Sequence, residues 1–322
     1  MKAVTSGALA SVLAAAMLPA ESAQANDSTA QLAAGGLVLT RNDAIEMRSE
    51  DLYISREAVR VLYRFVNSSG RDTTVRVAFP MPDVGGEGFF EGDVSVPVNA
   101  PANILGFVTL VDGKPVQTIL EQKAMVGSTD HRAWLVANRI PVAMHLGGTD
   151  AAIAGLSAAK RSEALKLGLI DEDGAPLWIV RTSYHWLQVF PAGKPVTIEH
   201  RYKPSVGGTV MTGIGQDWES DTVKTYCVEP SILTTLRRSA KGDSGPRYSE
   251  SWIDYILVTG GNWKKPIGEF RLVVDKGKPE TLVSFCGEGV RKIGPTTFEM
   301  RKRDWRPQKD LSILFLNPFG DG

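Results

Sequence analysis

The chain has 322 residues, with 36 Lys and Arg against 36 Asp and Glu, so its formal charge is zero. A protein that grips nucleic acid through its phosphates carries a basic surplus, and none exists here. Apolar residues make up 43% and charged residues 22%, which excludes an intrinsically disordered chain.

Residues 1–25 read as a secretory signal. Lys2 precedes an apolar stretch over 8–18, Pro19 comes next, and Ala23 and Ala25 are small residues of the kind signal peptidase accepts. The apolar stretch falls short of the ~20 residues with which a helix crosses a bilayer. The expectation is cleavage after Ala25, a mature chain that starts at Asn26 without an integral membrane segment, and a bacterial periplasmic or secreted location. No cysteine follows the cut, which argues against a lipid anchor.

Strand signals dominate the mature chain. Val59, Val61, Tyr63 and Phe65 alternate with Arg60 and Arg64; beyond a turn cluster at 67–70, Val75, Val77 and Phe79 alternate with Thr74 and Arg76. This pattern predicts an antiparallel hairpin with one buried face. Strands over 104–111 and 116–120 meet at Asp112-Gly113, a pair suited to the positive φ of a tight turn. Helical signals come next. Thr129 or Asp130 caps a helix through Ala137, and Ser157 caps one over 158–167 that stops at Gly168.

Residues 177–190 read as a long strand with Trp178, Val180, Thr182, Tyr184, Trp186, Gln188 and Phe190 on one face. A turn at 191–194 would return it into a strand over 196–202 and set His185 opposite His200. Segments 203–215 and 237–248 read as loops. Five more strands are expected, over 252–259, 268–274, 281–286, 296–301 and 311–316. The fold class is mainly β, with antiparallel β-sandwich-type domains and a small helical insertion. An N-terminal sandwich-like domain spans 26–204, with the insertion near 129–168. A C-terminal β-rich domain spans 205–322, and the boundary is soft enough to allow one elaborated domain.

Cys227 and Cys286 are the two cysteines, in no CxxC motif. In an oxidising compartment they predict a disulfide, with roughly 4 kcal/mol expected from the chain-entropy model for a loop of about 60 residues. The four histidines form no zinc pattern, and no metal or cofactor is expected. The segment Gly242-Asp243-Ser244-Gly245-Pro246 resembles the nucleophile segment of trypsin-like serine proteases, but it lacks the second Gly before the Pro. None of His131, His145, His185 and His200 has that family's histidine context, so the segment reads as a turn. Asp171, Asp173 and Gly174 hint at a calcium loop, yet Leu169 and Val180 stand where side-chain oxygens are needed. Gly213-Ile214-Gly215 lacks the third Gly of a dinucleotide site. No catalytic residue is assigned. Trp178, Tyr184, His185 and Trp186 are the binding candidates, because rings exposed on a sheet stack against sugars, lipids or peptides. Burial in a sandwich core is the plainer reading of the same rings.

Several strings together resemble a bacterial exported family catalogued as domain of unknown function 4424. They are Asn26-Asp27-Ser28-Thr29-Ala30, Ala34-Gly35-Gly36-Leu37, Ile45-Glu46-Met47, Tyr63-Arg64-Phe65-Val66-Asn67 and Phe79-Pro80-Met81-Pro82-Asp83. Further on stand Trp186-Leu187-Gln188-Val189-Phe190-Pro191, Tyr202-Lys203-Pro204, Asn262-Trp263-Lys264-Lys265-Pro266-Ile267-Gly268 and Ser284-Phe285-Cys286-Gly287. The resemblance implies an exported protein of unassigned activity and supplies no catalytic residue. A weaker likeness, over about the first hundred mature residues, is to the N-terminal domain of inter-alpha-trypsin inhibitor heavy chains. It rests on Tyr63 to Asn67, Phe79 to Pro82, Gly106-Phe107, Asp112-Gly113-Lys114 and Glu121-Gln122-Lys123-Ala124, and implies a β-sandwich that mediates contacts.

The functional expectation is a non-enzymatic periplasmic binding or interaction protein of the cell envelope. Its partner would be a protein or envelope component, with no nucleic acid. Two alternatives stand beside it. One is an envelope glycan or peptide hydrolase or transferase with carboxylates such as Asp254 and Glu269. The other is a small-ligand carrier using the Trp178, Tyr184 and Trp186 face.

Overall fold

The computed structural model describes residues 26–33, 36–85, 103–144, 148–215, 220–240 and 247–319. The described chain opens with strands β1 (Ser28–Ala33), β2 (Gly36–Thr40), β3 (Ile45–Ile54), β4 (Val59–Asn67), β5 (Thr73–Pro80) and the short β6 (Val84–Gly85). Strands β7 (Val108–Val111), β8 (Lys114–Val116), β9 (Ile119–Val126) and β10 (Thr129–Asp130) come after it, then helices α1 (Arg132–Ala137), α2 (Thr149–Ala154) and α3 (Ala158–Lys166). Next come β11 (Ile179–Phe190), β12 (Pro195–Tyr202), β13 (Gly207–Thr209), α4 (Ser220–Thr225) and α5 (Pro230–Ser239). The chain closes with β14 (Tyr248–Tyr255), β15 (Ile267–Asp275), β16 (Leu282–Phe285), β17 (Arg291–Lys292), β18 (Thr297–Trp305) and β19 (Leu311–Pro318).

Three sheets form from these strands. The largest has eight, in the order β17-β18-β15-β3-β4-β12-β7-β8. A second runs β10-β9-β11-β5-β1-β2, with β6 on β11, and a third runs β13-β14-β19-β16. All pairings are antiparallel except that of β15 with β3. Inward side chains of the large sheet, among them Leu52, Val61, Phe65, Ile198 and Leu272, share one core with Phe79, Trp186 and Phe190 of the second sheet. Ile253, Tyr255 and Phe315 of the third sheet join the same core. The fold is therefore mainly β and sandwich-like. One large sheet is covered by two smaller ones, and strands from either side of residue 205 lie in the same sheet.

The alternation in β4 behaves as its pattern requires, with Val59, Val61, Tyr63 and Phe65 buried and Arg60, Leu62 and Arg64 exposed. Two expected hairpins, β4–β5 and β11–β12, however, are not formed. β4 pairs with β3 and β12, while β5 pairs with β1 and β11, so the two buried faces look at each other across the core. Likewise β12 leaves β11 for the opposite sheet. Asn67 fastens both crossings. Its Nδ2 donates to the carbonyls of Arg71 and Phe190, both at 2.7 Å, and its own carbonyl accepts from the Gly193 N–H at 2.9 Å. A period-2 pattern reports which face is buried and says nothing about whether the burying partner lies beside the strand or across from it.

Two local expectations hold, whereas α1 opens at His131 without a side-chain cap and Thr129–Asp130 form β10. Asp112 and Gly113 take φ of 48° and 77° in the β7–β8 turn. Ser157 caps α3 by accepting from the Lys160 N–H at 3.3 Å, and Gly168 ends it with φ 68°. Helices α4 and α5 fall mainly between the two segments expected to be loops, where no element was expected; Pro230 at the first turn of α5, ahead of Ile232, Leu233 and Leu236, is the signal that marks it. A second core of Leu135, Ile153, Leu169 and Trp178 holds α1–α3 against β9 and β11. Asp171 Oδ1 accepts from the Gly174 and Ala175 N–H groups, each at 2.7 Å, so that segment is a side-chain-closed turn. Residues 242–246 and His145 lie outside the described residues.

Cys227 and Cys286 are joined, with Cα atoms 5.0 Å apart and a sequence separation of 59. The bond ties the segment after α4 to the end of β16, where Ser284 Oγ also donates to the Tyr226 and Cys227 carbonyls. Replacing both cysteines by serine is expected to cost up to roughly 4 kcal/mol in urea unfolding. A loss under about 1 kcal/mol would contradict that role.

Candidate functional site

Two features carry chemistry. The first is buried where the three sheets meet. In β3 the bulge at Met47/Ser49 shifts the register, so that Glu50 shares the inward parity of Leu52 and Ile54. Its carboxylate is 1% exposed and accepts from Asn26 Nδ2 at 3.4 and 3.2 Å. Asn26 Oδ1 accepts in turn from Tyr63 Oη at 2.5 Å, and Tyr63 Oη lies 3.1 Å from Tyr255 Oη. Asp27 Oδ1 meets His200 Nε2 at 2.9 Å, and His200 Nδ1 meets Thr109 Oγ1 at 3.0 Å. Asp27 and His200 have no exposed side-chain surface. Asp27 Oδ2 has no hydrogen-bond partner among the described residues.

The segment after β14 clamps these residues from the third sheet. Thr259 Oγ1 donates to the Asn26 carbonyl at 2.9 Å, Trp263 Nε1 to the Asp27 carbonyl at 2.7 Å, and Asn262 Nδ2 to Ser28 Oγ at 2.9 Å. Gly260 packs so closely that a Cβ there would meet Asn26 Nδ2 at 2.8 Å. Burial dominates the electrostatics. It pushes the Glu50 carboxyl up to about 8, against the Asn26 hydrogen bond and with the charge of Asp27 adding to the rise. It raises Asp27 as well, opposed by His200. An Asp–His pair is an acid–base device where a substrate can reach it; this one is walled in by Phe79, Phe107 and Trp186 around the His200 ring.

The second feature is open to solvent. On the outer face of the large sheet, cross-strand register sets Arg303, Glu269, Ser49, Arg64 and Thr197 in one row. Arg301, Arg271, Asp51 and Leu62 form the next. Between them lies a recess of about 500 Å³. Glu299 lies outside the lining and ties two of its arginines, Arg271 and Arg301. Its carboxylate accepts from Arg301 and Arg271 at 2.9 and 2.8 Å and from Arg291 at 3.0 Å, and these guanidiniums, Arg301 foremost, pull it down to about 2. Arg271 also reaches Asp51 at 3.2 Å. Arg64 and Arg303 make no ion pair or side-chain hydrogen bond among the described residues. Guanidinium forks match phosphate and carboxylate oxygens in pairs.

Residues 25–314 match the family model described as Domain of unknown function (DUF4424). The chain belongs to that family. No curated protein matches it. A solved protein of Legionella pneumophila subsp. pneumophila str. Philadelphia 1, described as a candidate nutrient-binding protein, is similar over 91% of this chain and 71% of its own, at 16% identity and a TM-score of 0.48.

The binding candidates read from the sequence of this DUF4424 chain fall in three places. Trp178 is fully buried in the helix-covered core, where its Nε1 donates to the Val142 carbonyl at 2.8 Å. Tyr184 and Trp186 are buried in the main core. Tyr184 stacks on Phe107 at 4.3 Å and donates to Asn103 Oδ1 at 3.0 Å, and burial pushes its hydroxyl up to about 12. His185 points to the other face of β11, 2.8 Å from an Arg76 nitrogen, and is lowered by burial and by that charge. His200 lies in the opposite sheet. Asp254 sits on β14, accepting from Ser312 at 2.6 Å, and Glu269 on β15, in different sheets. Sequence reading passed over Asn26, Asp27, Glu50, Tyr63 and Tyr255. One signal was present: an acidic residue on the apolar parity of a strand.

Glu50 gives the protein a pH dependence. With a peptide bond in place before Asn26, the folded group titrates near 8 and the unfolded one near 4.5. The raised value means stability is full below the unfolded value and falls as pH climbs toward 8, by at most about 5 kcal/mol. Glu299 acts only at the acid end, where stability falls as pH drops toward its low value. Urea unfolding between these limits, on a chain that keeps residues before Asn26, should show the decline, and the same chain with Glu50→Gln a shallower one. Equal slopes in the two proteins would contradict the assignment.

Proposed function

We propose that the protein is a non-enzymatic, exported binding protein of the bacterial envelope that seats a phosphate-bearing lipid headgroup in the arginine-lined recess. One observation carries this reading: Arg64 and Arg303 flank an open recess with their guanidiniums uncommitted among the described residues. Its size, about 500 Å³, suits a headgroup-sized ligand. Leu62, exposed at 40% between the arginines, offers an apolar contact for the glycerol and first methylenes. Arg60 and Arg201 continue the basic face on β4 and β12. Carboxylates Glu269, Asp51 and Glu199 share this face, so the cations left without an ion pair there among the described residues, Arg64 and Arg303 among them, are what would draw anionic surfaces, in a salt-dependent way. The sealed Asp27–His200 pair gives substrate no entry, which supports a role without chemistry.

Vesicle flotation of the chain starting at Asn26 tests this. Vesicles containing phosphatidylglycerol should bind the protein, pure phosphatidylcholine vesicles should not, and binding should weaken as salt rises. Arg64→Glu with Arg303→Glu should reduce binding about tenfold or more while changing stability by less than about 0.5 kcal/mol, as expected for exposed sites. Equal binding to both vesicle types would overturn the proposal. So would an unaffected variant, or binding of soluble glycerol phosphate without binding of vesicles.

A further inference from the structure

We propose that the interior around Asn26 is a built site for the chain's own new amino terminus: the α-ammonium freed by cutting Ala25–Asn26 is the missing counter-charge of Asp27 and Glu50. The spacing in the sequence places the cut at Asn26, and the fold carries Asn26 into the centre of the sandwich. There its side chain touches Glu50, Tyr63 and the Leu257 carbonyl, and its backbone carbonyl holds Thr259. The α-nitrogen is bonded to the same buried Cα.

The charges around it do not balance without an added cation. Glu50 comes from β3, Asp27 from the chain entering β1, His200 from β12, Tyr63 from β4 and Tyr255 from β14; all five are buried. Two carboxyl groups thus face a single imidazole. Among the described residues no Lys or Arg nitrogen comes within ion-pair distance of either carboxylate. Asp27 Oδ2 is left without a partner in the interior, where an unmet carboxylate oxygen is costly. An α-ammonium at this place would donate to such acceptors and neutralise the excess charge. An amide-linked Asn26 nitrogen brings no charge. Removal of the signal would then do more than release the protein. It would complete the polar centre on which three sheets converge, and the processed form would be the more stable one at neutral pH.

The test compares the chain starting at Asn26 with one retaining Ala23-Gln24-Ala25. The extended form should lose stability from about pH 5 to 8, and the Asn26 form should hold it, because a free α-amine is cationic through most of that range. Glu50→Gln should shrink the difference between the two forms, leaving only the share that Asp27 carries. Reductive dimethylation of the native Asn26 form should label its α-amine at least about tenfold more slowly than in the urea-unfolded chain, since labelling then requires opening. This second reading needs no variant to fold. Identical pH profiles for the two forms, a difference undiminished in Glu50→Gln, or labelling at the unfolded rate would each overturn the proposal. So would an exported product whose first residue is not Asn26.

Discussion

Two buried carboxyl groups that face a single imidazole sit where the three sheets meet, and much of the architecture is arranged around them. Glu50 reaches the interior from the large sheet, Asp27 from the strand that begins the second, and the clamp of Thr259, Asn262 and Trp263 from the end of the third. Each sheet could bury its apolar face against another by hydrophobic attraction alone, which is non-directional. The hydrogen-bonded centre is directional. It fixes which residues face which, and a residue with a side chain at 260 could not approach Asn26 as Gly260 does. Polar groups at such a point are expensive if left unmet and specifying if satisfied.

The same strands that carry this centre inward carry the basic recess outward. Because successive side chains alternate, Tyr63 reaches the Asn26 network while its neighbour Arg64 faces solvent, and Glu50 and Asp51 divide in the same way. The parallel β15–β3 pair then brings Arg271, Arg301 and Arg303, from the last quarter of the chain, beside Arg64 from its first. The bulge at Met47/Ser49 sets the parity for both faces at once. Binding surface and buried centre are two sides of one sheet, so a change in register would disturb both.

How far the sequence discloses this depends on the range of the interactions. Strand 59–67 was legible because its alternation is local, and the α3 cap and the β7–β8 turn because Ser157, Gly168 and Asp112-Gly113 act on their own neighbours. The pairing of β4 with β12 instead of β5 was not legible, since Asn67 settles it through contacts with Arg71, Phe190 and Gly193 that only the folded chain brings together. The recess was hidden for the same reason: Arg64 and Arg303 are 239 positions apart by their numbers and come onto one row, with Glu269 and Ser49 between them, through register. Of the buried centre, only its edges were visible. Asn26 and Asp27 stood out as the first residues after the expected cut, and they and the 262–268 string are among those that carry the family resemblance. That the two strings are hydrogen-bonded to each other is a fact of the fold.

The central question is what lies beside Glu50 in the processed chain. A crystal structure of the protein secreted and cut in its own host, at a resolution that orders Asn26, would answer it most directly. The expected result is the Asn26 α-nitrogen enclosed among Glu50, Asp27 and Tyr63, within about 3 Å of a carboxylate oxygen. An Asn26 turned out to solvent, with water or a side-chain cation in its place, would contradict the assignment of the new amino terminus to this centre.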